Sequence, residues 1–271
     1  MKVIHLINLF NPKNQNQTKI LEYTINSIEQ SINYHNNIHP DIEIVPIAVF
    51  YQEDEHVIPS FFKKTKCLEY DAFTYLKIDS PVFKKVPFLR EMFNKTFDSD
   101  DYYDYFIYTN ADIIVSNDFY IESIKMFKNK LVDVLSITRR TIPDYILPNL
   151  KFEDIFLKQI DIKTMSHPGH DTFIFRKGVL EKCNFADVFI GFPPVGTFIL
   201  FICEINDFKI DIEKKAFITY HLGDDKEWLN KELLPYMFKN QFEAKQLFFD
   251  FNVYNKQLKK KIDHKKKDTN K

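Results

Sequence analysis

The apolar run Val3 to Leu9 stops at Asn11-Pro12, the pattern of a buried strand that ends in a loop. Leu21, Ile25, Ile28 and Ile32 then recur at helical spacing and predict one apolar stripe on a helix over about residues 18–34. Ile44 to Phe50 returns to a strand, with Pro46 removing one ladder donor near its start. This strand, helix, strand order constrains the chain more than any other feature. Parallel neighbours need a crossover, and a helix is the usual one, so the opening third predicts a parallel α/β sheet.

The alternation continues. A helix is expected at Phe88 to Phe97, a strand at Tyr105 to Tyr108, a helix at Asn117 to Lys130 and a strand at Val132 to Ile137. Residues 139–166, interrupted by Pro143 and Pro148, read as irregular; a strand at Thr172 to Phe175 and a short helix from Gly178 follow. The expected organisation is one α/β domain over residues 1–250, with a mixed, mainly parallel central sheet flanked by helices. A Lys-rich tail over 251–271 completes it.

Composition limits the function classes. Apolar residues make up 45% of the chain, with 28 Phe and 14 Tyr, enough for a large core. The 37 Lys and Arg nearly balance 38 Asp and Glu, so no global field draws nucleic acid, and nucleic acid is not expected as a partner. Cys67, Cys183 and Cys203 form no C-x-x-C pair, which argues against a thiolate metal site and for a reducing compartment. Met1 to Asn8 lacks the features of a signal peptide. The longest uncharged apolar run, Val188 to Cys203, holds Pro193-Pro194 and falls short of the ~20 residues of a membrane helix. A cytoplasmic location is therefore expected. The lysines of the tail read either as a solvated helix end or as a weak peripheral contact with an anionic membrane face.

Three segments carry chemistry. In the first, the apolar strand ending at Thr109 runs into Asn110-Ala111-Asp112, placing two oxygen-bearing side chains at its carboxyl end. Ligands of open α/β sheets bind there, and magnesium or manganese prefers such oxygen donors; the same residues also suit a simple turn. In the second, Thr219-Tyr220-His221-Leu222-Gly223 is a strand that meets polar residues, with Lys226 and the single tryptophan, Trp228, beyond it. In the third, His167-Pro168-Gly169-His170-Asp171 reads as a turn carrying ionisable groups ahead of a strand.

Asn110-Ala111-Asp112 resembles the D-x-D motif of GT-A fold glycosyltransferases, with Asn in place of the first Asp. The resemblance implies a Rossmann-like domain and an enzyme that moves a sugar from a nucleotide-diphosphate donor to an acceptor hydroxyl. It further implies that Asp112 and a late-strand histidine, His221, hold Mn2+ or Mg2+ at the donor diphosphate, with Asn110 facing the ribose or the metal's waters. His221, Gly223, Lys226 and Trp228 are similar to the H-x-x-G-x-x-K-P-W pattern of the glycogenin-like subgroup, though one residue is missing and Glu227 replaces its proline. Lys226 would neutralise the leaving diphosphate. Asp171 would face the acceptor, as base in an inverting enzyme or as donor-sugar contact in a retaining one. Val86-Pro87-Phe88-Leu89-Arg90 resembles a segment whose basic residue, here Arg90, approaches the nucleotide. Asn8, Phe10 and Asn11 stand where base and ribose would be met, and Arg139-Arg140 where an acidic acceptor or sugar carboxylate would be.

The implied partners are a nucleotide-sugar and a glycan, lipid-linked or protein acceptor. A catalytically silent GT-A-like domain that binds a glycan or a protein is the alternative. A sugar nucleotidyltransferase ranks lower, because its Gly-rich phosphate loop has no counterpart among five scattered glycines.

Overall fold

The computed structural model describes residues 1–77, 85–99, 102–160, 163–223 and 230–249. The opening unit is β1 (Lys2–Asn8), α1 (Gln15–Ile38) and β2 (Glu43–Val49), with β1 and β2 parallel from Lys2 opposite Glu43 to Asn8 opposite Val49. Helix α1 starts earlier than its apolar stripe because Asn14 caps it, accepting from the Gln17 N–H. Strand β3 (Lys63–Lys64) and helices α2 (Ala72–Leu76) and α3 (Leu89–Ser99) lead to β4 (Tyr105–Thr109), which pairs in parallel with β1. The short β5 (Ile114–Val115), α4 (Phe119–Lys130) and β6 (Val134–Ile142) follow. Helix α5 (Phe152–Phe156), β7 (Met165–Arg176), α6 (Val195–Ile205), β8 (Ile210–Glu213), β9 (Thr219–Leu222) and a last helix, α7 (residues 234–249), complete the described chain.

The strand order is β3-β2-β1-β4-β7-β6-β9-β5, with β8 also on β6. Only β7 and β5 run against their neighbours. This is the mixed, mostly parallel sheet flanked by helices that the sequence leads one to expect. Strand alternation divides the core between its two faces. Leu6, Phe106 and Phe173 pack with Met92 of α3 and Ile199 of α6, whereas Ile7, Ile107 and Ile174 pack with Ile28 of α1 and Phe119 of α4. The apolar run at 188–203 supplies α6, and among the described residues no helix is long and apolar enough to cross a membrane.

Two expectations need correction. Residues 139–142 are not irregular but continue β6, and His167-Pro168-Gly169-His170 is not a turn but lies within β7. Alternation obscures both stretches, because the β6–β7 register shifts between Ile137 and Thr138 and again between Thr138 and Arg140. Ile137 lies opposite Thr172 and Thr138 opposite His170, which leaves Asp171 as an extra residue, a bulge. The short helix foreseen from Gly178 is a single 3-10 turn at Leu180–Lys182.

Candidate active site at the carboxyl edge of the sheet

Strands β4 and β5 are four residues apart in sequence yet separated by β7, β6 and β9 in the sheet, so the sheet curls and Asn110–Ile113 bridges the curl. The bridge is a tight bend, closed by the Ile113 N–H donating to the Asn110 carbonyl at 3.3 Å. Register then fixes what meets at this edge. Thr109 lies opposite Thr172, and the Asn110 N–H donates to the Asp171 carbonyl at 3.2 Å. Ile114 lies opposite Tyr220, which brings Asp112, two residues earlier, beside His221.

Five of the residues singled out in sequence, Asn110, Asp112, Arg139, Asp171 and His221, therefore converge. His221 Nε2 is 3.2 Å from Asp112 Oδ2. Asn110 Nδ2 donates to Asp171 Oδ1 at 2.9 Å and accepts on Oδ1 from the Tyr108 hydroxyl at 2.9 Å. Arg139 donates to Asp171 Oδ2 at 2.8 Å. The bulge at Asp171 turns its side chain toward this group, and both its oxygens are occupied.

The protonation of His221 follows from its partners. Its Nδ1 lies 3.0 Å from the Gly223 carbonyl, which can only accept, so Nδ1 carries a proton. Nε2 then meets a carboxylate oxygen, and two lone pairs would oppose each other unless a proton or a cation lies between them. Burial by itself would lower the His221 pKa; the hydrogen bond and charge of Asp112 outweigh it and raise the pKa above the ordinary imidazole value. Burial pushes the Asp112 carboxyl up, but His221 and Arg139 more than offset this and hold it below the usual range. Asp171 behaves oppositely. Burial raises its pKa, and the nearby Asp112 charge adds to this against the pull of Arg139. Two carboxylates at one edge are thus driven apart in proton affinity, as acid–base sites require.

The donor set fits a hard divalent cation. Asp112 Oδ1 is enclosed with no hydrogen-bond partner, although 42% of the side chain remains open. His221 presents Nε2 with its other nitrogen fixed by a carbonyl, the usual arrangement of a ligating histidine. Gly223 makes this possible: its φ of +77° aims its carbonyl at the ring, and a side chain there would meet Asp144 Oδ1 at 2.8 Å. Among the described residues no third His, Cys, Asp or Glu joins the pair. The remaining positions around a cation would fall to phosphate oxygens and water.

Other predicted residues lie apart from this group. Arg90 is ion-paired with Asp187 at 2.5 Å. Asn8, at the end of β1, spends its amide on the Val49 carbonyl at 3.0 Å, and Asn11 is exposed, its backbone N–H held by Asp54 Oδ1 at 3.0 Å. Arg140 bonds to Thr164 and lies over the Phe217 ring at 4.7 Å. Lys226 and Trp228 lie outside the described residues. Sequence reasoning did not assign Arg139 to Asp171 or Tyr108 to Asn110. Only the bulge reveals the first, while the i to i+2 spacing on one strand face could have suggested the second.

The sequence matches no known protein family and no curated protein. Among solved structures, the Staphylococcus aureus protein TarS, residues 1–349 in complex with UDP-GlcNAc, is similar over 83% of this chain and 60% of its own, with 12% identity and a TM-score of 0.48. The same fragment in complex with UDP is similar over 82% and 60%, with 11% identity and a TM-score of 0.46. A Desulfovibrio desulfuricans protein classed as a nucleotide-diphospho-sugar transferase is similar over 90% of this chain and 97% of its own, with 11% identity and a TM-score of 0.38. The chain thus spans about 60% of the TarS fragment's length.

Proposed function

We propose that this protein is a metal-dependent glycosyltransferase that moves a sugar from a nucleoside-diphosphate donor to an acceptor hydroxyl. The observation that carries the reading is the Asp112–His221 pair, whose facing Nε2 and Oδ2 require a proton or a cation between them. The enclosed, unpartnered Asp112 Oδ1 adds a further donor atom. Asp112 and His221 would hold Mn2+ or Mg2+, which when bound supplies Lewis-acid stabilisation of the departing diphosphate. Lys226 would add positive charge to the same leaving group, and Asn8 and Asn11 would border the base and ribose. Arg90, paired with Asp187 at the surface, would have to exchange that partner for a phosphate to approach the nucleotide.

Asp171 would face the acceptor. Its raised pKa suits a group that takes a proton from a hydroxyl as the bond forms. Arg139 and Asn110 fix both of its oxygens and so set the direction in which a remaining lone pair points. In this reading Asn110 positions Asp171 and is not a metal ligand, which explains why an amide stands in the first place of the motif.

Calorimetric titration of nucleoside diphosphates and their sugars, with and without Mn2+, tests the proposal. Wild type is expected to bind one nucleotide in a Mn2+-dependent way, and Asp112→Ala to lose at least tenfold in affinity. Binding that ignores both the metal and the substitution would remove the reading. Binding without slow hydrolysis of any nucleotide-sugar would favour the silent domain.

A further inference from the structure

Helix α7 is held firmly on its inner side. Asn240 accepts from the Phe189 N–H at 2.8 Å and donates to the carbonyls of Phe189 and Phe192 at 2.9 Å each, and Tyr236 stacks on Phe192 with ring centroids 4.8 Å apart. Ala244 and Leu247 continue this inner face onto the core. The outer face is unlike ordinary protein surface. Its exposed positions are Phe238, Phe242, Lys245, Gln246, Phe248 and Phe249, with no acid among them. Among the described residues of this helix the one acidic side chain, Glu243, is mostly covered and paired with Lys239.

Phe238, Phe242, Lys245 and Phe249 follow the spacing of a single helical stripe, and the three phenylalanines are 56%, 61% and 64% exposed. The stripe extends beyond the helix. Lys239 Nζ lies 4.9 Å from the Tyr75 ring and 6.0 Å from the Phe242 ring, joining the half-exposed Tyr75 to the same patch. An aromatic patch of this kind on a rigid element marks a surface that another apolar phase covers.

Charge identifies that phase. Residues 250–271, next in sequence, hold eight lysines against three aspartates, whereas the whole chain carries a net charge of −1. The basic charge is therefore concentrated in the stretch of sequence that follows α7, and the rest of the chain is net acidic. Aromatic side chains with interleaved and flanking lysines are the combination that enters the headgroup region of an anionic bilayer, the rings at the acyl boundary and the ammonium groups at the phosphates. We infer that the outer face of α7, with the lysines that follow it, docks the protein on an anionic phospholipid surface. This inference is independent of the transferase reading.

Co-sedimentation of the full-length chain with vesicles tests it, using phosphatidylcholine alone and an equal mixture of phosphatidylcholine and phosphatidylglycerol. Binding to the mixture is expected to be at least tenfold tighter than to the neutral vesicles and to weaken with added salt. The triple variant Phe238→Ser, Phe242→Ser, Phe249→Ser, with an unchanged circular dichroism spectrum, should lose at least tenfold, and Lys259→Gln, Lys260→Gln, Lys261→Gln a smaller factor. Equal binding to both vesicles, or binding indifferent to the triple variant, would overturn the inference. So would the absence of vesicle binding together with a concentration-dependent dimer that the triple variant abolishes, since the face would then cover a second copy of this chain.

Discussion

Asn110 is the residue whose identity is best explained by its neighbours. Its amide nitrogen faces a buried carboxylate oxygen of Asp171 and its carbonyl oxygen faces the Tyr108 hydroxyl, so each end of the side chain has the polarity its partner needs. Asn110→Asp would replace the donor by a second carboxylate 2.9 Å from the first. The variant is expected to lose about 1–3 kcal/mol of stability at neutral pH in urea titration, the usual cost of an unpaired buried polar group. It should not bind Mn2+ more tightly. Tighter Mn2+ binding with unchanged stability would mean that residue 110 faces the metal, as the ordinary motif would have it. The same neighbourhood shows what was legible in sequence. Asp112 could be picked because a strand that ends in oxygen-bearing residues marks the ligand edge of an α/β sheet. Asp171, ahead of a predicted strand, and His221, in a late one, take their roles from the family resemblance. Arg139 could not be tied to Asp171, because that contact depends on a bulge that simple alternation does not predict.

At the level of elements, β1, α1, β2, α3, β4 and α4 of the first half were readable because each is a single-period pattern bounded by turn residues, though β3, α2 and β5, of two to five residues, are too short to show a period. The second half was not, and β7 shows why. Its first residues, Met165 to Asp171, are exposed or half-buried and carry a proline and a glycine, so they resemble a loop until their β6 partners are known. Within helix α6, Gly196 costs roughly 1 kcal/mol of intrinsic helix propensity relative to alanine. In the fold it lets the first turn of α6 lie directly on β7, since a Cβ there would come within 2.4 Å of the His170 carbonyl oxygen. That obstacle is backbone next to Asp171 and cannot rotate away. Gly196→Ala should therefore destabilise the protein by about 1–3 kcal/mol despite its better helix propensity, as overpacking does. A lower urea midpoint at unchanged m-value would show this, and a stabilised variant would mean that α6 sits farther from the strand.

For the molecule as a whole, the sheet is held together across its centre by polar groups that water does not reach. His5 is the chief of these. It lies on β1 with no exposed surface, Nδ1 2.7 Å from the Tyr120 hydroxyl of α4 and Nε2 2.9 Å from Thr109 Oγ1 of β4. It thus links the first strand, the strand that leads to the site and a helix on one face. Burial lowers its pKa to about 3, so the folded protein keeps the ring neutral while an unfolded chain protonates it near its ordinary value of 6.5. The sign of the linkage follows: the contribution of His5 is complete above pH 6.5 and is lost as pH falls toward 3. Burial also lowers the pKa of His35, on α1 beside the Tyr120 ring, so the two act in the same direction. Between neutral pH and pH 4.5 the His5 share of the loss amounts to about 3 kcal/mol, two pH units at 1.36 kcal/mol each. His5→Asn should be less stable than wild type at pH 7, yet its stability should fall less steeply on acidification, so the two urea titrations converge by about that amount at pH 4.5. Parallel losses in the two proteins would place the acid sensitivity in the carboxylates, and the centre of the sheet would then not depend on a neutral imidazole.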